Sequence, residues 1–319
     1  MSDLVIGVDV GGTTIKAALF DSAGLDSEGL EYGRSERPTP RHLGPDAVVG
    51  TTIDIIAELR ARVPEAGRVG AVGLVVPGVV DPQQGIAVYA ANIGWRQLHL
   101  RQIVAEAVGL PVVLDHDVRA AGLAELELGA GRGLQDVLYV AVGTGVAAAV
   151  ITRGEVVAGA TDRAGELGHL PVFPDAERCA CGQRGCTETY ASAAALSRRY
   201  SAASGISDVP AHDVISRAAA GDPLADAIFN DAITALGRAL VHYVLLMDPE
   251  LILIGGGMSA SGVALLHPLT REVQAGLAWR PAPTILIGQF AGDAGRRGAA
   301  LLAWRALHAS GGPLNEGLR

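Results

Sequence analysis

Two stretches of the chain share one layout: an apolar run, a glycine–threonine turn and a second apolar run. Residues 4–8 lead through Asp9 to Gly11-Gly12-Thr13-Thr14 and on to the apolar run 17–20. Residues 137–142 lead to Gly143-Thr144-Gly145 and on to 146–151. Each layout predicts two short strands joined by a tight turn. A third version, 251–254 followed by Gly255-Gly256-Gly257, opens into a helical region instead. Between the turns the periodicity alternates. Apolar positions 48, 49, 53, 56, 59 and 63 predict an amphipathic helix over 46–63 with Asp46 as its N-cap. Residues 69–76 predict a buried strand ended by Pro77-Gly78, and 100–108 a helix ended by Gly109. A strand over 111–114 then delivers Asp115-His116-Asp117 to the start of a helix over 118–127. Asp222-Pro223 opens a long helix to Met247, followed by a strand over 284–287, a helix over 298–308 and a frayed tail over 309–319. His242, Tyr243 and Trp304 are expected to pack in the core.

Alternating strands and helices predict an α/β fold, and 319 residues with 49% hydrophobic content suffice for two domains. The 42 glycines predict many tight turns and close packing of small residues. A net charge of −9 argues against nonspecific nucleic-acid binding, which needs a basic surface. No apolar run is long enough to span a bilayer, and the first residues lack a signal peptide's basic start and apolar core. A cytoplasmic protein is expected. Three cysteines, clustered between 179 and 186, do not resemble a secreted disulfide framework.

Adjacent glycines let the backbone bring N–H groups close to an anion, and threonine hydroxyls add donors. Asp9, closing the first strand, can hold a metal ion beside that anion. Lys16 is the sole lysine of the chain; a phosphate contact and an exposed charge on a strand both fit it. A ligand-free hairpin is the plain alternative for one such turn, but three turns on buried strands point to nucleotide binding. Polar residues at the carboxyl end of a strand are where α/β folds put ligands. Asp117, on a helix N-terminus, is held ionised and suits a general base; a helix cap at Asp115 or Asp117 is the other reading. His169, Cys179, Cys181 and Cys186 supply one imidazole and three thiolates, a set that closes a tetrahedral structural zinc site. Free buried thiols, or one disulfide with a spare cysteine, remain alternatives. A zinc ion there would pin a loop so that Glu166 and Glu188 project inward.

Taken together, these motifs resemble the ROK family (repressors, open reading frames and sugar kinases). Asp9-x-Gly11-Gly12-Thr13-x-x-Lys16 is similar to its first phosphate motif, Gly143-Thr144-Gly145 to its second, and Gly255-Gly256-Gly257 to its adenosine-side glycines. Glu166-x-Gly168-His169 and Cys179-x-Cys181-Gly-x-x-Gly185-Cys186-x-Glu188 resemble its sugar-and-zinc signature. Asn92-Ile-Gly-Trp95 looks like the sugar-contacting loop of its bacterial glucokinases. The resemblance runs from about residue 4 to 305. It implies a ribonuclease H-like (actin/hexokinase-type) ATPase fold with two lobes around a central cleft. The small α/β lobe would span 1–117, with helix 298–308 packing back on it. The large α/β lobe would span 118–297 and carry the zinc segment.

The activity so implied is transfer of the ATP γ-phosphoryl group to the 6-hydroxyl of glucose or a related hexose, with Asp117 taking the hydroxyl proton. Gly78, Asn92, His116, Asp117, Glu166, His169 and Glu188 would hold the sugar. Asp9 would position Mg2+, while Gly11, Gly12, Thr13, Thr14, Lys16, Gly143, Thr144, Gly145 and Gly255, Gly256, Gly257 would hold ATP. His169, Cys179, Cys181 and Cys186 would ligate structural Zn2+. A homodimer or homotetramer without nucleic-acid or membrane partners is expected.

Two departures stand out. The family's glucokinases have Glu-Asn-Asp-x-Asn where this chain has Asp115-His116-Asp117-Val118-Arg119. The Asn before the base contacts the sugar's 3- and 4-hydroxyls, and an imidazole there is bulkier, with one donor and one acceptor when neutral. A kinase for 3-amino-3-deoxyglucose, N-acetylmannosamine or N-acetylglucosamine is therefore an alternative. Second, Ala147 stands where relatives continue the second turn with glycine. A sugar-sensing regulator is the rival of another class; repressors carry a helix-turn-helix segment before the first motif, for which eight residues leave no room. Polyphosphate stands beside ATP as a conceivable donor.

Overall fold

The first hairpin forms as β1 (Ser2–Val10) and β2 (Thr14–Phe20), continued by β3 (Glu31–Pro38), then α1 (Pro45–Arg60) and β4 (Gly67–Val76). The structure, a computed structural model, describes residues 2–21, 31–63, 67–174 and 176–309. The chain divides into two units: Met1–Ala124 with Ala160–Asp162 and Asp293–Arg319, and Glu125–Gly159 with Arg163–Gly292.

In the first unit the chain continues through a small antiparallel sheet of β5 (Val79–Asp81), β6 (Ile86–Ala90) and β7 (Trp95–Leu98). Next come α2 (Leu100–Val108), β8 (Val112–His116) and α3 (Asp117–Glu127), whose last turn belongs to the second unit. The main sheet has the order β3-β2-β1-β4-β8; β1, β4 and β8 run parallel, and β2 and β3 complete the meander. Strands buried on both faces read as continuous apolar runs, as the first and fourth do. Helix α1 begins one residue before the expected cap: Gly44 occupies the N-cap, Pro45 the first turn and Asp46 sits inside the helix. Proline suits that position because its missing N–H would have no helical partner. Strand β8 extends to His116, so Asp117 is the first helical residue.

The second unit repeats the plan. Strands β9 (Val137–Val142), β10 (Val146–Thr152) and β11 (Glu155–Val156) form the meander. Four helices follow: α4 (Glu188–Ala191), α5 (Ala193–Ser204), α6 (Ala211–Ala219) and α7 (Pro223–Met247). Then come β12 (Leu251–Gly255), α8 (Val263–Ala275) and β13 (Thr284–Ile287). The sheet order is β11-β10-β9-β12-β13, with β9, β12 and β13 parallel, so the two sheets have one topology. Repetition of the turn motif is thus repetition of a whole sheet. Helix α7 is capped by Asp222, whose Oδ1 accepts from the Leu224 and Ala225 amides at 2.9 and 3.1 Å, an arrangement worth about 1 kcal/mol. Tyr243 of α7 is buried as expected, but His242 is exposed, because a 3.6-residue turn carries it to the solvent face.

The last helix, α9 (Ala294–Ala309), starts four residues before the expected point and packs on β1 and β4 of the first unit. A Cβ on Gly7 would lie 2.1 Å from the Arg296 carbonyl, and one on Gly73 1.7 Å from that of Ala299. Glycine is what lets this helix lie against the strands. Trp304 is half-buried, stacked on His308 with centroids 4.3 Å apart. Of the expected tail, everything past 309 lies outside the described residues. Among the described residues no helix is long and apolar enough to cross a membrane.

Candidate active site

The first unit gathers its polar groups at the carboxyl ends of β1, β4 and β8. Register places Asp9 opposite Val75, and Val75 opposite Asp115, so both aspartates reach the same end of the sheet. Asp9 also faces Lys16 across the hairpin, on the same side of the sheet. The turn between them is tight, with the Gly11 amide donating to the Thr14 carbonyl at 3.0 Å. Thr39 fastens it from β3's end: its Oγ1 donates to the Gly11 carbonyl at 2.6 Å and its amide to the Thr13 carbonyl at 2.9 Å. Asn92, between β6 and β7, lies against the same turn; a Cβ on Gly12 would stand 3.5 Å from its Cβ. Gly78 has φ +91° and lies so near the Tyr89 carbonyl that a Cβ would be 2.2 Å from it, which reserves the position for glycine.

Asp117 opens α3 with its side chain partly accessible, and Oδ1 accepts the Val118 amide at 2.7 Å. The carboxylate thus bonds the first turn of α3 while part of it stays accessible. Asp115 is committed elsewhere: Arg119, itself buried, donates Nη2 and Nε to its Oδ1 at 2.7 and 3.0 Å and Nη1 to the Asp162 carbonyl at 3.0 Å. His116 Nδ1 accepts from the Val118 amide at 3.3 Å and lies 3.4 Å from Asp117 Oδ1.

Loss of water around the Asp9 carboxylate, reinforced by the charge of Asp117, pushes its pKa up to about 7, against the pull of Lys16 and Arg296. Arg296 is fully buried on α9 and donates to Asp293 at 2.7 Å. Neither Thr39 nor Arg296 stands out in the sequence. Only a buried arginine inside an alanine- and leucine-rich helix would have marked the second, and burial is not visible before folding.

In the second unit the Gly143–Gly145 turn closes by a Gly143 amide to Gly145 carbonyl bond of 2.9 Å. Gly256, φ +76°, approaches the end of β9 so closely that a Cβ would lie 2.6 Å from the Val142 carbonyl. The two glycine turns are thereby adjacent, with Gly143 near the Gly257 amide. Beside Gly257 lies a cavity of about 470 Å³ lined by Met258, Ser261, His212, Ile215 and Ser216 among others.

Glu166 Oε2 stands 3.8 Å from His169 Nε2, and His169 Nδ1 stands 3.8 Å from Cys179 Sγ. Ligand atoms of His169, Cys179, Cys181 and Cys186 all lie within 4.8 Å of one another. One imidazole and three thiols at that separation have the donor set and size of a tetrahedral zinc site. Burial pushes the Cys186 thiol up to about 12, helped by its neighbouring thiols; hydrogen bonding from the Gln183 backbone, opposed by desolvation, lowers Cys181. A dication would stabilise all three as thiolates. Glu188, expected to face a sugar, spends Oε2 on the Val146 amide at 2.8 Å.

Twin sheets, each with a glycine turn after a buried strand, and a carboxylate pair at one sheet end define a phosphate-handling α/β protein. The pattern of the ROK family matches residues 5–306. A glucokinase of Halalkalibacterium halodurans is 33% identical over 287 residues, covering 85% of either chain. A glucokinase of Streptomyces coelicolor is 32% identical over 323 residues, covering 94% of this chain and 97% of that one. Among solved structures, a ROK family glucokinase from Streptomyces griseus in complex with glucose and AMPPNP matches with a TM-score of 0.82 and 33% identity, over 95% of this chain and 99% of that one. The chain belongs to the ROK family, and its fold is the ribonuclease H-like, actin/hexokinase-type ATPase fold.

Proposed function

We propose that the protein is an ATP-dependent hexose kinase that phosphorylates the 6-hydroxyl of glucose, with Asp117 as general base. The observation that carries this reading is Asp117 at the end of β8, on the same sheet end as Asp9 and the Gly11–Thr14 turn. Sequence similarity to glucokinases over most of the chain supports the substrate class. Asp117 takes the proton of the attacking hydroxyl, and the remaining residues orient the reactants, which is most of what phosphoryl transfer asks of a protein. The turns at 11–14 and 143–145, with Lys16, hold phosphates; Gly255, Gly256 and Gly257, with the cavity beside them, hold the adenosine. Asp9 is the hard oxygen donor for Mg2+, which when bound neutralises phosphate charge. Gly78, Asn92, His116, Glu166, His169 and Glu188 take the sugar hydroxyls. His169, Cys179, Cys181 and Cys186 hold structural zinc. Use of ATP fits a cytoplasmic enzyme, and a homodimer or homotetramer is its expected state, to be read by light scattering.

A modified hexose is the second reading, favoured by His116. Its Nδ1 is engaged by the Val118 amide, so it meets a ligand with a single ring nitrogen where an amide would offer two groups. An ATP-coupled assay over glucose, mannose, fructose, glucosamine, the N-acetylated amino sugars and 3-amino-3-deoxyglucose decides between them. Absence of phosphorylation with every hexose would sink the kinase reading.

A further inference from the structure

The segment that carries the last cysteine of the cluster also grips the Gly143–Gly145 turn, at two points. Glu188 Oε2 accepts the Val146 amide at 2.8 Å, and the Ala193 amide donates to the Gly143 carbonyl at 2.8 Å. The fit is close: a Cβ on Gly145 would lie 2.5 Å from Glu188 Oε2, and one on Gly168 2.1 Å from the Val146 carbonyl. Cys186 lies two residues before Glu188, and His169 one after Gly168, so two members of the thiol–imidazole cluster bracket the contacts on Val146. The Thr187 amide further ties the segment to the Leu170 carbonyl at 2.9 Å.

We propose that Glu188 is a positioning residue for the phosphate donor, holding the second glycine turn in its nucleotide-binding shape through the Val146 amide. An amide cradle binds phosphate well only when its N–H groups are fixed before the ligand arrives, because ordering them otherwise opposes binding. Glu188 supplies that order through a charge-assisted bond from a carboxylate seated at the start of α4, next to a cysteine of the cluster. Its role is thus separate from any contact with the sugar, and nucleotide binding without sugar reports it.

This inference rests on ATP being the donor. The test is calorimetric titration of AMPPNP with Mg2+ into sugar-free protein, with zinc content measured for each variant. Glu188→Asp keeps the charge but cannot span the distance to Val146; Glu188→Gln keeps the reach and an acceptor oxygen. Expected is roughly a 10-fold loss of AMPPNP affinity in Glu188→Asp and less than about a 3-fold loss in Glu188→Gln, with zinc retained in both. Unchanged affinity in Glu188→Asp, or an equal loss in both variants, would overturn the proposal. Wild-type protein that fails to bind AMPPNP would overturn the ATP reading itself.

Discussion

Asp9, on β1, and Asp117, the first residue of α3 directly after β8, lie close enough that the charge of Asp117 helps push the Asp9 pKa up to about 7. Loss of water around Asp9 is the larger cause, and repulsion from the neighbouring carboxylate adds to it. Asp9 carries the raised value, so the group proposed to meet the cation is the one that gains most from it.

The sign of the resulting pH dependence follows from linkage. A carboxyl raised in the fold binds protons between its ordinary value near 3.8 and about 7 while the unfolded chain does not, so its contribution lowers stability as pH rises through that window. Asp9→Asn should accordingly melt higher than wild type at pH 8 in the absence of Mg2+, by roughly 2–6 °C, with the difference fading toward pH 4. Thermal melts at several pH values check it; a lower melting point for the variant at pH 8 would reverse the sign. Mg2+ binding to wild type should also weaken below pH 7, since the ion then competes with a proton.

Asp117→Asn removes the proton acceptor but retains the amide oxygen that meets the Val118 N–H. The kcat should fall by roughly 10²–10⁴-fold while sugar affinity, read by intrinsic fluorescence or calorimetry, changes by less than about 3-fold. A variant that still turns over at near wild-type rate would mean that another group is the base.

What was legible before folding were the features imposed by backbone geometry. Both hairpin turns, the Gly109 helix end and the opening of α7 at Asp222-Pro223 came from residues whose conformational demands are local. The prediction that abundant glycine means small-residue packing is realised at Gly7 and Gly73, where a helix backbone occupies the space of a side chain. Contacts between distant segments were not legible. Thr39 holding Gly11, Glu188 holding Val146 and Arg296 near Asp9 join residues whose spacing carries no period. Helices α5 and α6 and the short strands β5 to β7 escaped because a few turns or a few residues give too little periodicity to read. Two residues of the departing stretch Asp115–Arg119 behave differently in the fold: Arg119 is a buried structural anchor, and His116 stays partly accessible beside Asp117.

Zinc is tested by elemental analysis. Purified wild type should carry about one zinc per chain, and Cys186→Ser should lose most of it together with thermal stability, because Cys186 is buried while Cys181 is exposed. Cys181→Ser should be milder in stability at equal zinc loss. Wild-type protein with substoichiometric zinc after purification without chelators would count against the site.

Arg119 offers a last, purely structural test, since Asp115 receives two of its N–H groups and the Asp162 carbonyl a third. Removing one partner of a pair this enclosed leaves the other charge without its counter-ion. Arg119→Met should therefore lower unfolding free energy by about 2–4 kcal/mol, as read from denaturant midpoints. Asp115→Asn alone should cost less, because Arg119 retains the Asp162 carbonyl and an amide oxygen. The double variant separates the pair from the carbonyl contact: if the ion pair dominates, Asp115→Asn recovers about 1–2 kcal/mol in the Arg119→Met background. If the two single losses instead add within about 0.5 kcal/mol, the anchor works through Asp162 and the charge on Asp115 is incidental.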